Sequence, residues 1–335
     1  MKQLAAIILA AGKGTRMKSE KPKVIFPFAE KPMIQRVINT ALQAKCEKIV
    51  TVVGYQKEQV INIVRDNCAI TFVEQKEQNG TGHAIMVTES EFSDYDGDIF
   101  ILCGDVPLLS ATTLEKMYSH HQTTKAACTV LTAVLDDALK YGRIVRNSEN
   151  NVEKIVEYKD ATAEQRNIKE INSGIYIFDA KSLFNALQKI DNKNMQNEYY
   201  LTDTLEILNN EGKLVTSVLL DDMMEVSGIN SQEQLASLET MHYQNIKKKW
   251  LNEGVLIENP DSIIIGEDVN IEPNVEIQAN TIIKGRSFIK SGARIGPNCF
   301  LFECLLDNNV RLSGYNVIIN RTLQPNSSFD YFQKG

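Results

Sequence analysis

Ile265, Ile271, Ile277, Ile283, Ile289, Ile295 and Leu301 recur at every sixth position, and Val269, Val275, Thr281, Ser287, Ala293 and Cys299 repeat between them at the same spacing. A period of six fits neither a helix, which repeats about every 3.6 residues, nor a strand, which repeats every two. It fits a left-handed parallel β-helix of hexapeptide repeats, where each repeat forms one side of a triangular coil and its aliphatic residue points inward. After a one-residue slip the period resumes at Leu306, Leu312 and Ile318. The spacing predicts about three and a half coils of roughly eighteen residues within 253–335. This signal is structural, because the isoleucines fill the interior and carry no chemistry.

The chain has 335 residues, more than one ordinary compact core holds, and the preceding part reads as a different architecture. Leu4 to Ala11 is an unbroken apolar run, as expected of a strand covered on both faces. It is too short, and too abruptly followed by Gly-Lys-Gly-Thr-Arg, for a secretory signal. A helix opened by Pro32 follows, with Met33, Val37, Ile38 and Leu42 on one face, then a strand over Lys48–Val53, a helix over Gln56–Arg65 and a strand over Ile70–Val73. Asp98–Cys103 repeats the buried-strand pattern and precedes a helix from about Ala111 to His121. Such alternation predicts right-handed βαβ units and a largely parallel, Rossmann-like α/β sheet. In open sheets of this kind ligands bind at the carboxyl ends of the strands, which directs attention to the residues after Ala11 and Cys103. Near Asn230 the pattern changes: Ser231 to Gln234 resembles a capping box, and Leu235, Leu238 and Met241 share a helical face. The expected organisation is a 1–229 nucleotide-binding domain, a 230–252 linker helix and a 253–335 β-helix.

A net charge of −7 argues against broad nucleic-acid binding, and the run Lys247-Lys248-Lys249 reads as a solvated helix patch. Small phosphorylated substrates remain compatible, since a few cations and backbone amides hold an anion locally. No run of eighteen apolar residues occurs, so no membrane-spanning helix is expected. Cys46, Cys68, Cys103, Cys128, Cys299 and Cys304 lack metal-site spacing and read as free thiols of a cytoplasmic protein.

Three segments carry the chemistry. The loop after the first strand reads Leu9-Ala10-Ala11-Gly12-Lys13-Gly14-Thr15-Arg16-Met17, followed by Pro22-Lys23. Its glycines let amides approach an anion, and Arg16 and Lys23 add positive charge. A dinucleotide fingerprint would need glycine where Met17 stands, and a Walker loop would need it where Ile7 stands. The second segment, Cys103-Gly104-Asp105-Val106-Pro107-Leu108, sets a carboxylate at a strand end, where it can hold Mg²⁺ against a triphosphate or simply cap the next turn. The third runs from Gln75 through Gly80-Thr81-Gly82-His83, where amide groups could read a base edge; His83 is assigned no role.

Together these segments resemble the uridyltransferase domain of the bacterial bifunctional enzymes that make UDP-N-acetylglucosamine, over roughly residues 4–230 and, in outline, the hexapeptide region. Further matching stretches are Tyr141-Gly142-Arg143, Val156 to Thr162, Glu170 to Gly174, Glu198 to Asp203 and Gly228-Ile229-Asn230. The resemblance implies UTP and N-acetylglucosamine 1-phosphate as substrates and Mg²⁺ as cofactor. It implies that Leu9, Ala10, Ala11, Gly12, Gln75, Gly80 and Thr81 hold the nucleotide, with Ala11, Gly12, Gln75 and Gly80 at its uracil and ribose end. Cys103 and Gly104 border the same substrate. Gly142, Glu157 and Asn172 would bind the amino sugar, Asp105 and Asn230 the metal, and Arg16 and Lys23 the phosphates as catalytic cations. Cys103 departs from relatives with Tyr at that position, which leaves a backbone role there.

In the bifunctional family a longer β-helix carries an acetyltransferase that needs a histidine base. The histidines here are His83, His120, His121 and His242, none in the hexapeptide region, so acetyl transfer is expected to be absent. The β-helix is then expected to serve assembly, with a homotrimer favoured. The alternatives are a nucleotidyltransferase for another hexose 1-phosphate, and a non-catalytic scaffold subunit.

Overall fold

The computed structural model describes residues 2–64, 70–138 and 140–332, which leaves Cys68 and the predicted helix end at Arg65 outside the described residues. The chain divides into two compact units, one up to Gln232 and one from Glu233.

The first unit is built on a nine-stranded sheet. From edge to edge its main strands are Val215–Leu219, Cys128–Val134, Glu170–Asp179, Gly97–Cys103, Gln3–Ala10, Lys48–Val53 and Ile70–Glu74. Gln3–Ala10 lies at the centre, parallel to both neighbours. Its residues Ala5 to Ile8 are wholly buried, as the unbroken apolar run requires. Val60 and Val64 of the helix Lys57–Val64 and Ile34, Val37 and Ile38 of the helix Met33–Gln43 belong to one buried cluster. Ile85, Leu183 and Leu205 belong to a second.

The sheet is mixed, mostly parallel. Glu170–Asp179 runs antiparallel between Gly97–Cys103 and Cys128–Val134, and the hairpin Arg143–Arg146 with Val152–Val156 attaches to it at Ile171. The pairing of Glu170–Asp179 with Cys128–Val134 breaks between Asn172 and Tyr176. There Gly174 takes φ +79 and its N–H donates to Asn172 Oδ1 at 3.0 Å. Such a bulge re-aims side chains at a sheet's edge of activity.

The second unit opens with the helix Gln232–Asn252 and continues as three parallel sheets of five, four and four short strands. These make four full coils and the first strand of a fifth, more than the hexad count predicts. The count misses the first rung because the turn Pro260–Ser262 puts Ile257 out of phase with Ile265, and it misses the last because Leu323 follows a second short step. The interior columns are Ile257-Ile277-Ile295-Leu312, Ile265-Ile283-Leu301-Ile318 and Ile271-Ile289-Leu306-Leu323. The slip after Leu301 falls at a corner where Glu303 takes φ 50. Asn274, Asn280, Asn298, Asn309, Asn320 and Asn326 also have positive φ, a conformation that asparagine tolerates. Thr281 and Ser287 are buried but bonded, to Gly296 O at 3.1 Å and Lys284 O at 2.7 Å.

Two expectations on the helix change. Met241 is exposed, and the buried side chains are Leu238, Lys247 and Trp250. Lys247 is therefore not part of a solvated patch: its Nζ donates to the Pro260 carbonyl, which lets an ammonium lie in the interior, and burial lowers its pKa. Lys248 and Lys249 are exposed, and Lys249 Nζ sits 4.3 Å from the Trp250 ring centre. Among the described residues no helix is long and apolar enough to cross a membrane, and Cys46, Cys103, Cys128, Cys299 and Cys304 are free thiols.

Candidate active site

The first strand ends in a loop whose shape depends on its glycines. Gly14 adopts φ 63, and a Cβ there would lie 2.6 Å from Lys23 Cβ, so only glycine lets the lysine segment close in. Gly12 differs: a Cβ on it would meet nothing within 4 Å and would project into open space. Met17, almost fully buried, anchors the short turn Thr15–Met17 that carries Arg16.

That open space is a cleft of about 310 Å³ at the carboxyl ends of the central strands. Leu9, Ala10, Ala11 and Gly12 line it from the first strand and its loop, and Gln75, Gly80 and Thr81 from the segment after Ile70–Glu74. Lys23, Cys103 and Asp105 complete the expected set. Gly104 is not on the lining. Its N–H donates to Leu9 O at 3.0 Å, and it packs against that backbone so closely that a Cβ would crowd the same oxygen. Cys103 Sγ lies 3.5 Å from Gly174 O, and burial pushes its thiol up to about 12, so it stays protonated.

Sequence reasoning gave no role to several supporting residues. Ala11 O accepts from Tyr55 N at 3.1 Å and from Gln78 Nε2 at 2.7 Å. Gly54 fits because a Cβ would lie 2.9 Å from Ala11 O and 3.0 Å from Gln75 O. His83 Nδ1 lies 3.1 Å from Gln75 Nε2, which also donates to Gly80 O at 3.1 Å, so the histidine steadies the glutamine amide. Val24, Ala84 and Glu198 join the cleft lining. No spacing rule identifies these residues, because their contacts are made across the fold.

Beside the cleft four polar side chains converge. Lys23 Nζ is in contact with Asp105 Oδ2 and donates to Asn230 Oδ1 at 2.8 Å; Arg16 Nη2 donates to the same Asn230 oxygen at 2.8 Å. Ile229 N donates to Asp105 O at 3.0 Å, which brings the segment carrying Asn230 against Asp105 although 125 residues separate them in sequence. Two hard oxygen donors thus face one cationic centre, here the lysine ammonium. Among the described residues no cluster of three or more His, Cys, Asp or Glu side chains suits a metal. A cation at Asp105 and Asn230 would draw its other ligands from water and substrate phosphates, which fits Mg²⁺.

The third group is adjacent. Asn172 N donates to Gly142 O at 2.9 Å, and a Cβ on Gly142 would lie 3.6 Å from Glu157 Oε1, so Gly142, Glu157 and Asn172 lie together. The contact between Cys103 and Gly174, and that between Gly174 and Asn172, connect it to the cleft. Burial raises the Glu157 pKa, opposed by the Thr202 hydroxyl at 3.5 Å. Arg143, itself buried, donates to the carbonyls of Ala138 and Arg166 and holds the Gly142 loop in place.

A family model for nucleotidyl transferases matches residues 5–255. The chain is 43% identical to the bifunctional protein GlmU of Geobacillus sp. (strain WCH70) over 92% of its length and 66% of that protein's. It is 39% identical to the bifunctional protein GlmU of Brevibacillus brevis over its whole length and 73% of that protein's. It therefore spans about two thirds of the length of such relatives. In fold it is similar to a UDP-glucose pyrophosphorylase solved with UDP-glucose (TM-score 0.58, 23% identity, 73% of this chain and 100% of that one). It is also similar to a putative glucose-1-phosphate thymidylyltransferase from Bacillus anthracis (TM-score 0.59, 19% identity, 71% of this chain and 94% of that one). The chain belongs to the nucleotidyl transferase family, and within it is a GlmU-like member.

Proposed function

We propose that the chain is a sugar-1-phosphate nucleotidyltransferase that joins UTP to N-acetylglucosamine 1-phosphate, giving UDP-N-acetylglucosamine and pyrophosphate. The observation that carries this reading is the convergence of Arg16, Lys23, Asp105 and Asn230 beside the cleft, with Gly142, Glu157 and Asn172 brought near one another. A phosphate oxygen of the sugar attacks the α-phosphorus of the triphosphate. The new P–O bond forms as the bond to the bridging oxygen breaks, and that electron pair leaves with pyrophosphate. No side-chain nucleophile is needed, so the protein supplies positioning and charge.

Leu9 to Gly12, Gln75, Gly80 and Thr81 would hold the base and ribose, with Cys103 bordering them and Gly104 packed behind Leu9. Lys23 and Arg16 would offset the repulsion between two anionic substrates. Asp105 and Asn230 would hold Mg²⁺, which when bound adds positive charge against the triphosphate. Glu157 accepts hydrogen bonds and Asn172 can donate or accept them, which suits a sugar carrying both an amide N–H and hydroxyls.

The reading is tested by pyrophosphate release over a panel of nucleoside triphosphates and sugar 1-phosphates. UTP with N-acetylglucosamine 1-phosphate is expected to exceed glucose 1-phosphate by ~10² or more in kcat/KM, as a site built to bond a polar group discriminates against a substrate lacking it. Equal or faster turnover of glucose 1-phosphate would transfer the assignment to another hexose, and no metal-dependent release with any pair would leave a scaffold.

The β-helix supports assembly as a homotrimer. Register aligns Ile264, Ile282, Phe300 and Val317 on the outside of one sheet, with Phe302 and Ile319 beside them. A second sheet presents the ion pair of Glu276 with Arg294 outward, while the third presents Phe288 and Leu305, with the ion pair of Lys290 and Asp307 just past its strand ends. Such an apolar column suits burial between copies. Sedimentation velocity is expected to give a trimer for the chain and a monomer for Val317→Glu/Ile319→Glu; an unchanged species in that variant would reject this face.

A further inference from the structure

The stretch Glu198 to Asp203 resembles the family, yet none of the roles above uses its Tyr200. In the structure the segment 194–202 is bonded at both ends. Towards the nucleotide loop, Tyr199 N donates to Asn79 O at 2.8 Å and Gly82 N donates to Tyr199 O at 2.8 Å. Leu201 N donates to Thr81 Oγ1 at 3.2 Å. The approach is close enough that a Cβ on Gly80 would lie 2.5 Å from Tyr199 O, so glycine is required there.

Towards the sugar side, the segment grips the turn that begins at Glu157. Asp160 N donates to Glu157 O at 3.0 Å and closes that turn. Asp160 then accepts from Met195 N at 3.0 Å through Oδ1 and from the Tyr200 hydroxyl at 3.2 Å through Oδ2. Gln196 Nε2 donates to the same Tyr200 oxygen at 2.8 Å, and Lys159 Nζ donates to Gln196 Oε1 at 2.6 Å. Burial pushes the Tyr200 phenol up to about 12, which keeps it a donor to the carboxylate.

We propose that Asp160 and Tyr200 are positioning residues that tie the Glu157 turn to the nucleotide loop Asn79–Gly82 through the 194–202 segment, so that a bound nucleoside triphosphate pre-orders the site for the sugar phosphate. The two bonds on Asp160 are the joint. With them in place, ordering of the nucleotide loop restricts the turn that presents Glu157; without them the 3.5 Å contact of Thr202 with Glu157 and the Lys159–Gln196 bond remain, and most of the restriction is lost. The coupling is reciprocal, since a bound sugar phosphate strengthens triphosphate binding by the same factor. This rests on the sugar and nucleotide subsites proposed above.

The test uses Tyr200→Phe, which keeps the buried ring, and Asp160→Ala at an exposed position, so both variants are expected to fold. Calorimetry measures binding of N-acetylglucosamine 1-phosphate with and without a non-reactive α,β-methylene analogue of UTP. In the unaltered chain the analogue is expected to tighten sugar-phosphate binding by about ten-fold, within the ordinary range of such coupling. In Asp160→Ala the gain should fall below about two-fold, and in Tyr200→Phe, which keeps the Met195 bond, it should fall part of the way, while the analogue alone binds as before. The double variant should be no worse than Asp160→Ala, because that change alone removes both bonds on Asp160. In steady state both KM values, each measured at a saturating partner, should rise by the same factor, whereas each ligand alone should bind as before, a pattern that general loosening of the fold does not produce.

An absent gain in the unaltered chain, a gain retained in both variants, or weakening of either ligand bound alone each overturns the proposal. Glu157→Gln separates its failure from that of the subsites. If that variant binds sugar phosphate normally, the sugar subsite itself is wrong. If it binds weakly while Tyr200→Phe and Asp160→Ala keep the gain, only the coupling is wrong.

Discussion

Asp105→Asn is expected to lower the metal-dependent turnover by ~10²–10³ while leaving the fold intact, the scale of losing one preorganised electrostatic contact. The substitution keeps size and shape and removes the charge. Asp105 holds the Asn230 segment through its backbone carbonyl, which accepts from Ile229 N at 3.0 Å, so that joint survives. What is lost is the anionic partner of Lys23 and the stronger of two oxygen donors for a divalent cation. Pyrophosphate release across a Mg²⁺ titration, with a thermal melt of the same sample, is the measurement. Turnover near that of the unaltered chain at ordinary Mg²⁺ would remove Asp105 from the metal site.

Lys23→Ala and Arg16→Ala are each expected to lower kcat/KM by ~10²–10³. The alanine at 23 keeps the Cβ that Gly14 accommodates, so the loop closes as before and only the ammonium disappears. Lys23 spans both Asp105 and Asn230, whereas Arg16 reaches Asn230, so the lysine change should be the more severe. The loss should appear in kcat, because the charge that both cations oppose grows as pyrophosphate leaves. A rise confined to the KM for the triphosphate would make them uniform binding groups instead.

Lys23 also shows how far residue pattern leads. The glycine loop, Arg16 and Lys23 lie within one short stretch, and their proximity is visible in the chain itself. Asn230 is named from the resemblance, but that its amide oxygen receives both cations depends on the Ile229–Asp105 bond, which no local rule contains. Gly54 and Gln78 support Ala11 from separate loops, and neither carries a spacing signal.

The fold divides in the same way. The hexad isoleucines and the apolar first strand were legible because a repeat and a buried strand impose a period or a run on the sequence, and the long aliphatic side chains must then face inward. The antiparallel course of Glu170–Asp179 was not, since strand direction depends on which neighbours it pairs with. Burial of Lys247 was not, because a lysine leaves water only where another part of the chain supplies an acceptor, here the Pro260 carbonyl. Period, steric freedom and charge made the coil repeat, the strands and helices up to His121 and the residue types available for phosphate chemistry readable in the chain. Which of those residues meet is settled by the closed fold, because bonds such as Tyr200 to Asp160 join positions forty residues apart and exist only after the chain has folded back on itself.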